Sequence, residues 1–243
     1  MTKKIAVLYH IFYEDSINHI EHELKGLHRF DTNYFFNLSA EMPNQLETKD
    51  ALLSLFPNAI VTISSNKGKD IGGKLLLLGA CMQAGVEPDW IVFLHDKKSL
   101  QALNAKTWKN DLFKIVDNEQ LTNIEAIISK NNTGYGIIAM KNYVRKELRQ
   151  EGMFTANNGQ ILSQLIKDYN INCTDYEYVA GTMFWAKASA LMAFFRKFDP
   201  LKIRQTLEGG NVIDNFSGTY THSWERMLSW IVTSQGLKIK TLE

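Results

Sequence analysis

Three short polar segments in this chain carry residue types suited to phosphate binding and acid–base chemistry. The first is Asn66-Lys67-Gly68-Lys69-Asp70-Ile71-Gly72-Gly73. Backbone amides at a helix N-terminus, clear of side-chain bulk and flanked by Lys67 and Lys69, suit a phosphate or diphosphate. Asp70 either binds a ribose or base there or caps the helix, and an ordinary strand-to-helix turn explains the same letters. The second is His95-Asp96-Lys97-Lys98-Ser99, which ends the apolar run Ile91-Val92-Phe93-Leu94 abruptly. A departing diphosphate needs its charge neutralised, either by a divalent ion held on carboxylates or by lysines and arginines. Asp96 is the candidate ligand for Mg2+ or Mn2+, and Lys97 and Lys98 are candidates for direct phosphate contact; a solvated basic turn is the plain alternative. The third is Gly218-Thr219-Tyr220-Thr221-His222-Ser223-Trp224-Glu225-Arg226. His222, Glu225 and Arg226 lie three and four apart and share one helix face. Glu225 could take a proton from an acceptor hydroxyl, and His222 could ligate a metal or meet phosphate. Alternatively, Ser223 caps the helix and Glu225-Arg226 is surface charge.

These segments need elements to position them. Ile5 to Tyr9 reads as a strand and Asp15 to Lys25 as a helix, with Ile17, Ile20 and Leu24 at helical spacing. Strands are expected at Asn33 to Leu38, Ala59 to Ile63, Trp90 to Leu94, Tyr135 to Met140, Gly181 to Ala186 and Leu237 to Lys240. Helices are expected at Lys49 to Phe56, Gly72 to Ala84, Thr107 to Val116, Glu119 to Lys130, Asn158 to Asp168, Lys187 to Phe195 and Ser223 to Gln235. This alternation predicts an α/β fold with a mostly parallel sheet flanked by helices and ligands bound beyond the strand C-termini. Val144 to Asn157 and Asp199 to Thr221 look like excursions from the core. No linker or repeat interrupts the chain, so a single domain spanning 1–243 is expected, with a nucleotide-binding half to about residue 130 and an acceptor and sugar half after it.

Composition narrows the function classes. Of 243 residues, 45% are hydrophobic and 22% charged, enough apolar material for a large core. Lys+Arg number 27 against Asp+Glu 26, which gives no broad basic field for nucleic acid, so an anion site must be local. Cys81 and Cys173 form no CxxC pair, which suits a reducing cytosol. No apolar stretch is long enough for a signal or a membrane span, so a soluble or peripheral protein is expected. His19-Ile20-Glu21-His22-Glu23 lacks the HExxH order and reads as a solvated helix face. Tyr176, Tyr178, Phe184 and Trp185 read as core and pocket wall.

Taken together and in order, these segments resemble the rhamnan synthesis protein F family of glycosyltransferases. Lys4-Ile5-Ala6-Val7 with His10 and Tyr13 is similar to the family's opening strand, and Asn66 to Gly72 to its Asn-basic-Gly-basic-Asp-Ile-Gly signature. Leu94-His95 with Lys97-Lys98-Ser99, followed by Trp108, resembles its Leu-His-Thr-Lys-Lys-Ser and tryptophan. Ala180-Gly181-Thr182-Met183-Phe184-Trp185 with Ala190-Leu191 is the most specific match, and Gly218-Thr219, His222 and Glu225-Arg226 match the closing positions.

The resemblance implies a GT-A-like fold and a hexosyltransferase, expected to invert, in which an acceptor hydroxyl attacks the anomeric carbon of a dTDP-rhamnose-like donor. The acceptor would be a growing cell-surface polysaccharide or a lipid-linked saccharide, reached in the cytoplasm or at the inner membrane face. In that reading Asn66, Gly68, Lys69, Asp70 and Gly72 hold the nucleotide, and His95, Asp96, Lys97 and Lys98 face the diphosphate. Gly181 and Thr182 line the sugar pocket, His222 and Arg226 assist, and Glu225 or Asp214 is the base. Asp96 stands where the family usually has Thr, and the Asp-x-Asp of metal-dependent GT-A enzymes is absent. A non-catalytic carbohydrate- or nucleotide-binding module with the same fold is the alternative.

Overall fold

The apolar run that opens the chain forms β1, Lys4–Ile11, and is buried from Ile5 onward. A strand buried on both faces belongs inside a helix-covered parallel sheet, and β1 lies at the centre of one. The computed structural model describes residues 2–96, 111–130, 133–214 and 217–243. Parallel to β1 run β2 (Asp31–Ser39) on one side and β4 (Trp90–His95) on the other, with β3 (Ile60–Ser64) outside β2. Beyond β4 comes β10 (Phe184–Lys187), antiparallel to it, then β5 (Tyr135–Met140) and β11 (Lys238–Leu242). The strand order β11-β5-β10-β4-β1-β2-β3 makes β10 the one reversed strand of the seven.

The chain moves outward from β1 through β2 to β3, then crosses back to β4 on the other side of β1. That reversal of direction opens a crevice beyond the C-termini of β1 and β4, where ligands of open α/β sheets bind. The crossover is α3, Lys69–Gln83, whose Ile71, Leu75, Leu77, Leu78 and Cys81 are buried. Before it come α1, Ile17–Leu24, and α2, Gln45–Leu55. After β4 come α4, Asn118–Ile128, α5, Gly159–Asp168, α6, Ala188–Lys197, and α7, Pro200–Thr206. The last helix, α8 (Tyr220–Thr233), buries Trp224, Met227, Leu228, Trp230, Ile231 and Val232, which explains its apolar stripe. Among the described residues no helix is long and apolar enough to cross a membrane.

Some elements differ from the sequence-based expectation. The segment 144–157 forms short ribbons: β6 (Val144–Lys146) pairs with β9 (Glu177–Val179), and β7 (Arg149–Gln150) with β8 (Met153–Phe154). The first half of the second excursion is α7, started by Asp199, whose side chain accepts from Leu201 N, with Pro200 in the first turn. The expected strand at Gly181 begins three residues later, because Gly181 (φ 77°) and Thr182 (φ 50°) both turn left-handed. The expected helix Thr107 to Val116 lies partly outside the described residues. His19, Glu21 and His22 are exposed on α1 while Ile20 and Leu24 are buried, and no metal-binding group occurs among the described residues. Tyr176, Tyr178, Phe184 and Trp185 are all buried.

Candidate functional site

The loop between β3 and α3 is locked by packing. Gly68 caps α3 with a left-handed φ of 74°, and Gly72 sits in the first turn, where a Cβ would lie 1.7 Å from the Lys67 carbonyl oxygen. At Gly73 a Cβ would enter the His10 ring. The amides of this loop are partly committed: Gly68 N donates to the Glu208 carbonyl at 2.7 Å and Gly72 N to the Gly68 carbonyl at 2.8 Å. Gly68 and Gly72 are therefore explained by close approach, and neither lines the cavity beside them. Nor does Asp70 cap the helix; that place belongs to Gly68.

Asp70 lies one turn before Lys74, which the helix carries into the interior with no exposure. Lys74 Nζ donates to Asp70 Oδ2 at 2.9 Å, to His95 Nδ1 at 3.0 Å and to Thr182 Oγ1. The Thr182 hydroxyl in turn donates to Asp70 Oδ2 at 2.7 Å. An ammonium has three protons, and here each has an acceptor. Burial works against the Asp70 carboxylate, yet the Lys74 ammonium and the hydrogen bond from Thr182 outweigh it and hold it well below the usual carboxylate range. Burial pushes the Lys74 ammonium down while Asp70 pulls it back.

At the end of β4, Asp96 meets donors from the turn after β1. Its Oδ1 accepts from Phe12 N at 2.8 Å, and its Oδ2 from Tyr13 N and Ser16 Oγ at 2.7 Å each. The carboxylate thus fastens the turn after β1, and among the described residues no group of His, Cys, Asp and Glu fits a metal ion. These loop donors approach both oxygens of Asp96, the residue expected from sequence to hold a metal.

On the other wall, the α8 N-terminus is capped by Thr219, not Ser223: Thr219 Oγ1 accepts from His222 N at 3.1 Å. Ser223 is buried and donates to the Thr219 carbonyl at 2.8 Å. Glu208 binds the same helix start, accepting from Tyr220 N, Thr221 N and Thr221 Oγ1 at 2.6–2.9 Å. Because the Glu208 carbonyl also holds Gly68 N, one residue ties the first and third polar segments together. Glu225 accepts from Gly181 N at 2.8 Å and from Arg226 Nη1 at 2.6 Å. Arg226 reaches past it to Glu147 at 2.7 Å and stacks 4.5 Å over Tyr178. Burial opposes the Arg226 charge, but Glu225, Tyr178 and Glu147 more than offset it. His222 is pushed down from its ordinary value mainly by burial.

These walls enclose a cavity of about 350 Å3 at the C-terminal rim of the sheet. Asn66, Lys69, Asp70, His95, Asp96, Gly181, His222 and Glu225 line it, so residues 159 positions apart converge. Thr182 and Arg226 stand behind it, bonded to Asp70 and Glu225. Asp214 is exposed outside the lining, its carboxylate 3.0 and 3.2 Å from Asn158 Nδ2. Lys97 and Lys98 lie outside the described residues. His10, Phe12, Tyr13, Asn211 and Thr221 also line the cavity and were not assigned roles from sequence. Lys74 was missed too, although a lone lysine four residues after Asp70, inside the apolar run from Ile71 to Cys81, was a readable signal.

Comparison with known proteins then supplies the family. The profile of rhamnan synthesis protein F matches residues 1–237. The chain belongs to the rhamnan synthesis protein F family. The mostly parallel α/β sheet expected from sequence is the fold found. No curated protein matches the chain. Among solved structures, the mannosyltransferase PcManGT from Pyrobaculum calidifontis, in complex with GDP-Man and Mn2+, is similar with a TM-score of 0.43 at 11% identity; the match covers 100% of this chain and 55% of that chain. This rhamnan synthesis protein F family member thus spans about half the length of that neighbour.

Proposed function

We propose that this family member transfers a sugar, rhamnose being the first candidate, from a nucleoside diphosphate donor to a saccharide or lipid-linked acceptor, in a single GT-A-like domain. The observation that carries the reading is the convergence of Asp70, His95, Gly181, His222 and Glu225 on one cavity at the sheet's switch point. The N-terminal half, with Asn66, Lys69 and Asp70, holds the nucleotide, and Gly181 and Glu225 from the C-terminal half face the sugar and acceptor.

Glu225 is the base. One guanidinium is shared between Glu225 and Glu147, so the set keeps an excess negative charge, and Glu225 is the member that lines the cavity. The carboxylate takes the acceptor hydroxyl proton while that oxygen bonds to the anomeric carbon. The bond from that carbon to the diphosphate oxygen breaks, and the diphosphate leaves with the electron pair. One carboxylate acting as base, with attack opposite the leaving group, gives inversion. His95 and Lys69, with Lys97 and Lys98 as expected from sequence, meet the diphosphate charge.

The test is release of nucleoside diphosphate from UDP-, dTDP- and GDP-sugars with a rhamnan oligosaccharide acceptor. Turnover is expected with one donor, and its persistence in a chelator is expected if lysines neutralise the diphosphate. Binding of a nucleotide sugar without turnover under any acceptor or added Mg2+ or Mn2+ would leave a binding module instead.

A further inference from the structure

Lys74 is the most completely buried cation in the described part of the molecule, and the chemistry proposed above does not use it. It sits in the middle of α3 and touches groups from three other places: Asp70 one turn earlier, His95 at the end of β4, and Thr182 in the left-handed turn before β10. An ammonium only donates. With Lys74 as an ammonium, His95 Nδ1, 3.0 Å from its Nζ, is the acceptor of the pair, and the imidazole proton then sits on Nε2. Asp70 would otherwise favour the opposite arrangement, since its Oδ2 lies 3.7 Å from the same Nδ1 and accepts protons. Lys74 stands between the two and decides the matter.

Other charged groups surround this ring. Asp96 adjoins it in sequence, His10 is its cross-strand partner on β1, and Glu225 on α8 acts on Lys74 from across the cavity. Each is engaged elsewhere: Asp96 with the turn after β1, His10 Nδ1 with Asn37 Nδ2 at 2.9 Å, and Glu225 with Gly181 N and Arg226. Among the described residues, the cation in contact with His95 Nδ1 is the Lys74 ammonium.

We propose that Lys74 is a positioning residue that holds His95 as a neutral Nε2–H imidazole, so that His95 donates a hydrogen bond to an oxygen of the bound nucleotide sugar. The proposal rests on the nucleotide-sugar reading of the cavity. It gives the buried lysine a task that simple packing would not: a leucine or methionine would fill similar space, but it would leave Asp70 to draw a proton onto Nδ1. Through Thr182 the same ammonium also steadies the turn whose Gly181 amide holds Glu225, which couples the donor wall to the base wall.

The experiment uses the full chain with 15N-labelled histidine, the His95 signals being identified by their loss in His95→Gln. Long-range 1H–15N spectra of the wild type are expected to show His95 protonated at Nε2 alone. In Lys74→Met and in Asp70→Asn/Lys74→Met, the second of which leaves no unpaired buried charge, the two outcomes differ: Nδ1 gains a proton in the single variant and not in the double. Lys74→Arg, which keeps donors and charge, is expected to restore the wild-type pattern. Calorimetric titration with UDP, dTDP and GDP is expected to show about tenfold weaker binding of the preferred nucleotide in His95→Leu and in Lys74→Met, and a smaller loss in His95→Gln, which keeps a donor near the Nε2 position. A proton on Nδ1 in the wild type, or wild-type spectra and affinity in Lys74→Met, would overturn the proposal alone. Absence of binding of all three nucleotides and their sugars to the wild type would overturn the nucleotide-sugar reading, and the ligand contact with it.

Discussion

Two buried ion clusters face each other across the cavity, and they are built on opposite principles. On α3, Lys74 and Asp70 pair one charge with one charge, and every ammonium proton is consumed by Asp70, His95 or Thr182. On α8, Arg226 serves both Glu225 and Glu147, so two carboxylates share one guanidinium. A balanced, saturated cluster has nothing left to react with and fixes geometry. A cluster with surplus negative charge beside a cavity keeps an acceptor for an incoming proton. The contrast separates the wall that positions from the wall proposed to do chemistry.

Removing the reactive carboxylate is the hardest blow to that division. Glu225→Gln keeps the size of the side chain and an acceptor for Gly181 N, and is expected to lower kcat by about 10^2- to 10^4-fold with KM for the donor little changed, as measured by steady-state diphosphate release. Asp214→Asn, outside the lining, is expected to leave the rate within about twofold in the same assay, since surface changes away from a site have small effects. Equal losses in both would erase the distinction drawn for Glu225.

The positioning wall is broken through stability. Lys74→Met leaves the Asp70 carboxylate buried without its cation and is expected to cost about 3–5 kcal/mol in urea unfolding. Adding Asp70→Asn is expected to recover most of that, because the loss comes from an unpaired charge and contacting residues do not act additively. No recovery would mean that Lys74 acts by shape alone.

Acid sharpens the comparison further. His10 takes its proton near 6.5 when unfolded, but burial lowers that to about 4 in the fold. Between those values the unfolded chain binds more protons, so stability rises with pH across this window and falls as pH drops from 6.5 towards 4. The full effect is about 3 kcal/mol, read as the pH dependence of urea midpoints, and His10→Gln is expected to flatten it. Asp70 acts in the same sense at lower pH: its depressed value stabilises the fold above the ordinary carboxylate range and is lost as pH falls through its folded value. The smallest effect belongs to Thr219→Ala, which removes the cap on His222 N and is expected to cost about 1 kcal/mol, with a measurable drop in turnover only if His222 shifts with it.

Much of the framework was legible in the letters. Ile5 to Tyr9 and Trp90 to Leu94 are continuous apolar runs, and such runs between helical patterns can only be inner strands of a covered sheet. Boundaries were less legible where the cause is not local. The helix at Gly72 in fact starts at Lys69 because Gly68 turns left-handed against Leu207, and the helix at Ser223 starts at Tyr220 because Glu208 and Thr219 cap it. Leu207 and Glu208 lie outside the sequence around the helices they fix.

The same division holds for the site. Residue types and order by themselves placed Asp70, His95, Gly181, His222 and Glu225 at strand ends and helix starts, because periodicity fixes elements and elements fix which ends face a ligand. Which partners the candidate groups meet was decided only by the fold. Asp96 accepts from amides 83 and 84 residues away, and Asp214 from Asn158, 56 residues away. Hydrogen-bond partners so distant along the chain leave no pattern in the sequence. Burial of Lys74 likewise depends on His95 arriving from the end of β4 and Thr182 from the turn before β10, so its partners became visible only when the chain closed on itself.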